Sequence, residues 1–170
     1  ESGNPWGISF LAMFHMSNDS HLFQTADELQ AQGYQLDGNW FMKGDDVYLP
    51  LYEAKMMHQY THRWATYTAN GDTRDMESSE LRRPTALPLP RYWVSGGDVH
   101  SKIGSQNALL GFRRITNTTN ERTAVFSLIP YSAVGDNIFL MFTQNSTNEL
   151  FLSLYGNMCC IMFDYITRQK

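Results

Sequence analysis

Residues 109–142 read LLGFRRITNTTNERTAVFSLIPYSAVGDNIFLMF, and this run decides the fold. Residues 109–115 (LLGFRRI) are a short apolar run closed by two arginines, which predicts a strand. Residues 116–120 (TNTTN) are a polar turn and 122–129 (RTAVFSLI) a second strand, so the two predict a hairpin. Residues 130–137 are a connection holding Gly135-Asp136, and 138–142 (IFLMF) form a further strand. Downstream, 148–166 (NELFLSLYGNMCCIMFDYI) carries apolar residues at mostly helical spacing, long enough for one buried helix of about five turns. Asn148 is placed to cap its start, and Gly156 is a mild cost or a close-packing point.

Working upstream, residues 91–94 predict a short strand and 98–103 a turn or short helix. Residues 68–91 are polar and proline-rich and read as a long surface loop, a kind that often carries function. Residues 47–60 (VYLPLYEAKMMHQY) are the strongest strand of the first half, with Pro50 demanding an edge position or a bulge. Residues 36–43 pass through Asp37-Gly38, a turn signal. Residues 25–32 predict a short helix capped by Thr25, with Asp27 and Glu28 in its first turn and Gly33 ending it. Residues 5–16 alternate loosely, as a strand or extended arm does, and 17–20 turn. The sum is mixed α+β: a largely antiparallel sheet with a long C-terminal helix, one domain over residues 1–170, with 1–35 as a candidate linker arm.

Composition narrows the function. The chain has 170 residues, 42% of them hydrophobic and 14% aromatic, which suffices for a core and suits a sheet or a stacking surface. A net charge of -4 is unlike a free-standing nucleic-acid binder, so DNA binding needs a local basic patch or a basic neighbour. Cys159 and Cys160 are adjacent and strained for a disulfide; they read as two small buried residues. The Asn-x-Ser/Thr triplets at Asn18, Asn117 and Asn145 have no signal peptide before them and read as loop chemistry. No apolar run reaches the roughly 18 residues of a membrane span. The chain opens without methionine and stops on Thr167-Arg168-Gln169-Lys170, and both ends read as boundaries inside a longer protein.

Phosphate-loop, dinucleotide, nucleophile-elbow and Cys-x-x-Cys motifs are missing, and so are the glycine motif and Asn/Asp-Pro-Pro-Tyr/Phe tetrapeptide of an adenine methyltransferase. Glu53-x-Lys55 after Asp46 is the skeleton of a Mg²⁺-dependent nuclease: on a strand, alternation puts Glu53 and Lys55 on one face. The bland alternative is a same-face ion pair. His58 and His62 stand four apart without an obvious third metal ligand, and His62-Arg63-Trp64 reads as a polar and aromatic surface group. Arg82-Arg83, Arg91, Lys102, Arg113-Arg114 and Arg122 form modest basic clusters. Arg113 and Arg114 precede the 116–120 loop, whose Asn and Thr side chains suit base or phosphate contacts, although such loops are also ordinary solvated turns.

Five stretches, 13–23 (MFHMSNDSHLF), 49–67 (LPLYEAKMMHQYTHRWATY), 91–94 (RYWV), 111–137 and 164–170 (DYITRQK), resemble a region of large bacterial adenine-specific DNA methyltransferases of the type IIG-like restriction–modification kind. Residues 50–56 and 119–123 (TNERT) are the more specific pieces. The resemblance implies a target-recognition domain like those of TaqI-like methyltransferases and type I specificity subunits, without a catalytic centre of its own. It implies double-stranded DNA and the methyltransferase domain of the same polypeptide as partners, S-adenosylmethionine as cofactor of that domain only, no catalytic or metal residue in this chain, no membrane, and a bacterial cytoplasmic location. It does not identify base-reading residues. From residue chemistry the expected DNA contacts are Arg113, Arg114, Arg122, Asn117, Thr118, Asn120, Arg82, Arg83, Lys55 and Arg63. Two alternatives stay open: a nuclease using Asp46, Glu53 and Lys55, and a docking domain that never touches DNA.

Overall fold

A computed structural model describes residues 3–117, 119–144 and 146–169. In chain order its elements are β1 (Ser9–Leu11), α1 (Ala26–Ala31), β2 (Gln35–Asp37), β3 (Trp40–Lys43), β4 (Asp46–Tyr52), β5 (Ala65–Tyr67), β6 (Thr73–Asp75), α2 (Ser78–Leu81), β7 (Trp93–Ser95), α3 (Gly96–Ile103), β8 (Ala108–Arg113), β9 (Phe126–Pro130), β10 (Ala133–Val134), β11 (Ile138–Phe142), α4 (Asn148–Met158) and α5 (Ile161–Arg168). Two 3-10 turns, Ser20–Leu22 and Ala54–Met56, join them. The class is mixed α+β with largely antiparallel sheets and a helical C-terminus.

The run 109–142 becomes the middle layer. Strands β8, β9 and β11 pair antiparallel, and β1 joins the edge of β11 to give the order β1-β11-β8-β9. Both faces of this sheet are covered, which is why its strands read as nearly continuous apolar runs. On one face Leu109, Ile129, Ile138 and Leu140 pack with Leu49, Leu51, Val94 and Val99 of the second sheet and α3. On the other, Leu110, Phe126 and Met141 pack against Met158 and Cys159 at the end of α4. Each such fully buried side chain contributes about 1.5–3 kcal/mol of transfer free energy. Gly111 sits at the tightest point: a Cβ there would lie 2.8 Å from Ile129 Cδ1 and from Ile138 Cγ2.

The second sheet runs β10-β4-β3-β2, with β7 on the far side of β4. Its β10 lies between β9 and β11 in sequence, so the 130–137 connection leaves one sheet, pairs parallel with β4 at Ala133–Leu51 and Val134–Tyr52, and returns. Phe14 adds a parallel bridge to Gly135 on the other side of that connection. Pro50 is neither at an edge nor in a bulge. The Leu51 N–H donates to the Tyr92 carbonyl beside β7, so the proline nitrogen faces the opposite side, where pairing with β3 ends at Tyr48 and pairing with β10 begins at Leu51. The missing donor falls into that gap.

Helix α1 has the expected Thr25 cap, and the structure adds the reciprocal half of a capping box: the Thr25 N–H donates to the Glu28 carboxylate at 2.8 Å, and the Glu28 N–H donates to the Thr25 hydroxyl at 3.3 Å. Its Leu29 is buried with Phe41 and Trp93, and β1 is part of a sheet, so residues 9–31 belong to the folded body rather than to a linker arm. The 68–91 stretch is not a structureless loop: it holds the hairpin partner β6 and the short helix α2. The C-terminal helix is broken into α4 and α5, bent by 58° at Cys159-Cys160. Neither glycine nor proline causes the break. The Cys159 carbonyl accepts from the Gln59 side chain (3.2 Å) and the Tyr60 hydroxyl (3.0 Å), and Cys160 Sγ accepts the Phe163 N–H that starts α5. Among the described residues, no single helix is long and apolar enough to cross a membrane.

Candidate nucleic-acid interface

The site grows from the turn at residues 58–61. His58 and Thr61 exchange backbone hydrogen bonds, and Tyr60 has φ +67°, a left-handed conformation that favours glycine. Tertiary bonds hold it there: the Tyr60 N–H donates to Phe126 O, and the Phe126 N–H donates to the Gln59 side-chain oxygen. Such over-determined strain concentrates at functional sites. His58 stacks on Trp64, ring centroids 4.5 Å apart. Burial lowers its pKa, and the charges of Arg113 and Arg122 lower it further against Glu121 and Asp75. The structure thus gathers Arg113, Arg122, His58 and Trp64 from three separate segments.

Above them, residues 114–123 form a braced loop. The Thr116 hydroxyl donates to Thr123 O, and the buried Asp164 carboxylate accepts the N–H groups of Thr123 and Ala124, both at 2.7 Å. Arg168 donates to the Thr123 hydroxyl and to the carbonyls of Asn120 and Glu121. Both bracing residues come from α5, one turn apart. The loop exposes Arg114 and Asn117 in part and leaves Asn120 half-buried; Thr118 lies outside the described residues. The Arg114 guanidinium rests over the Phe139 ring at 5.2 Å and 3.9 Å from Asp136, which also meets His15 Nδ1 at 3.3 Å.

Several expected contacts have internal work instead. Arg113 is half-buried and donates to Met57 O through Nε and Nη2. Arg63 donates to the carbonyls of Leu81, Arg83 and Ala86 at 2.8–3.1 Å, clamping the chain where α2 ends. Arg122 is half-buried, with Nη1 enclosed and unpartnered. The Arg82 and Arg83 side chains stand exposed, the Arg83 carbonyl being held in the Arg63 clamp, and Lys55 is exposed on the 3-10 turn. The nuclease set does not assemble. β4 stops at Tyr52, so Glu53 and Lys55 do not share a strand face, and Asp46 lies at the other end of that strand, on the order of 20 Å away. Glu53 is buried with Oε1 unpartnered, beside the Tyr67 hydroxyl, whose pKa is raised by burial first and by the Glu53 charge second. His62 packs on the Tyr52 ring, and no cluster of three metal-ligating side chains occurs among the described residues.

Residue reasoning missed Gln59, Tyr60, Asp164 and Arg168. The spacing Asp164-x-x-x-Arg168 is the one signal that was available for them, an i,i+4 polar pair within an apolar helix. A cleft of about 490 Å³, lined by Thr25, Asp27, Leu36, Tyr67, Arg91 and Trp93, opens elsewhere and contains none of the expected contacts. No family model matches the chain, and no curated protein or solved structure is found similar to it.

Proposed function

We propose that this chain is a DNA target-recognition domain serving an N6-adenine methyltransferase of a bacterial restriction–modification system. The observation that carries the reading is the braced 114–123 loop, which presents Arg114, Asn117 and Asn120 beside the Arg113–Arg122–His58–Trp64 cluster. A loop fixed from beneath by Asp164 and Arg168 gives up little entropy on binding, as base or phosphate readout requires. The roles divide by exposure. Arg114, Arg82, Arg83 and Lys55 meet phosphates or base edges, and Asn117 and Asn120, with Thr118 joining them on residue type alone, supply adaptable contacts. Arg63 and Arg113 hold the backbone that positions them, and Arg122 contributes charge from half-buried depth. The methyl transfer, with S-adenosylmethionine and a flipped adenine, belongs to the methyltransferase domain of the same polypeptide. That reading carries a bacterial cytoplasmic location with it. The net charge of -4 makes binding by this domain alone weak, with the partner domain sharing the phosphate contacts; whatever phosphates this domain neutralises make that binding salt-sensitive.

The test is fluorescence anisotropy of a labelled random duplex at low and moderate salt, with Mg²⁺ present. Binding that weakens with salt, with the DNA left intact, is the expected result. Replacing Arg82, Arg83 and Arg114 together by alanine lowers the logarithmic salt slope by roughly one for each phosphate these side chains neutralise. Unchanged affinity in that variant would sink the assignment of these residues. Mg²⁺-dependent nicking abolished by Glu53→Ala would replace the reading with the nuclease.

A further inference from the structure

Helix α5 is amphipathic the wrong way round for a helix on the outside of a lone domain. Its inward face is polar: Asp164 is buried on the Thr123 and Ala124 amides, and Arg168 donates to the Asn120 and Glu121 carbonyls and to the Thr123 hydroxyl. Its outward face is apolar. Ile161 is 68% exposed, Met162 62%, Tyr165 60% and Ile166 58%, while Phe163, at 37%, turns its ring edge-on to the buried Phe126. None of these five residues is charged. Ordinary surface helices show the reverse pattern.

The four outward residues expose roughly 500 Å², within the range of the largest apolar patch on a typical monomer. Two such faces brought together would remove at most about 1,000 Å² from water, the threshold between a weak, reversible contact and a stable protein–protein interface. A face with no charge has nothing to orient a charged partner, whereas it is complementary to itself. A two-fold axis across α5 sets Met162 and Tyr165 of one copy against the same residues of another.

We propose that the outward face of α5 is a homodimer interface in which a second copy of this chain covers Ile161, Met162, Tyr165 and Ile166. The interface stands apart from DNA recognition and is measured without DNA. The area places it at the weak end of stable dimers.

Sedimentation velocity of the chain across about 2–200 µM reads the association directly. A monomer–dimer equilibrium is expected. Met162→Glu and Tyr165→Lys, made singly at exposed positions, each raise the dissociation constant by about tenfold or more, equivalent to at least 1.4 kcal/mol. Circular dichroism and melting of both variants match the parent chain, since neither side chain supports the core. A chain that stays monomeric throughout, or variants that dimerise as tightly as the parent, would overturn the proposal. A monomer that floats with phosphatidylcholine–phosphatidylglycerol vesicles would overturn it in favour of a lipid surface.

Discussion

Asp164 shows how much one side chain can organise. It sits on an apolar helix, yet one carboxylate oxygen accepts two backbone N–H groups of a loop 40 residues away in sequence. Truncation leaves both donors buried or nearly so without an acceptor, which costs the desolvation of each. Asp164→Ala is therefore expected to destabilise the fold by about 2–4 kcal/mol in urea unfolding, and Asp164→Asn by less, because the amide oxygen still accepts. A loss under about 0.5 kcal/mol for the alanine variant, the scale of an ordinary surface change, would show that the loop is held by other means. The arginines teach the complementary lesson. Sequence gives Arg63, Arg113 and Arg114 the same chemistry, but the first two donate to main-chain carbonyls and only the third turns its guanidinium to the surface. Residue type was legible; the partner was not, because it is set by a tertiary neighbour. Cys160, expected to be buried like Cys159, is exposed and caps α5 instead.

At the scale of elements, the strands of residues 109–142 were readable because short apolar runs and turn chemistry agree there. The Thr25 cap of α1 was readable for the same reason: every determinant lies within four residues. What escaped is where two remote segments decide the outcome. Pro50 is tolerated in an interior strand by the gap between β3 and β10, and the α4–α5 break is imposed by Gln59 and Tyr60 about 100 residues upstream. The 68–91 composition concealed β6, whose exposed Arg74 and Asp75 need only a hairpin partner rather than a buried face. The close fit of the central sheet yields a test. Gly111→Ala puts a methyl 2.8 Å from two isoleucine side chains, and overpacking of this kind costs about 1–3 kcal/mol. Thermal melting should register it, with Ile129→Val added to Gly111→Ala recovering part of the loss. An unaltered melting temperature in the single variant would mean that β8 has room for a methyl group at this point.

For the whole molecule, acid should be a sensitive condition. Burial lowers the pKa of both His58 and His62, with Arg113 and then Arg122 adding to the first and Arg63 to the second. The unfolded chain, with histidines near their ordinary 6.5, takes up protons before the folded one does. The stability these two contribute is thus present above about pH 6.5 and drains away as pH falls through their folded values. His58→Gln and His62→Gln together should flatten the dependence of unfolding free energy on pH between about 7 and 5. An identical slope in the double variant would exclude them as its source. The topology also reaches into synthesis. β1 closes on β11, so residues 9–11 find their partners only at 140–142. As the chain leaves a ribosome at about 5–20 residues per second, that short strand waits on the order of ten seconds or more with its backbone unpaired. Three residues are too few to template aggregation, and the brevity of β1 suits a strand whose partner is made so much later.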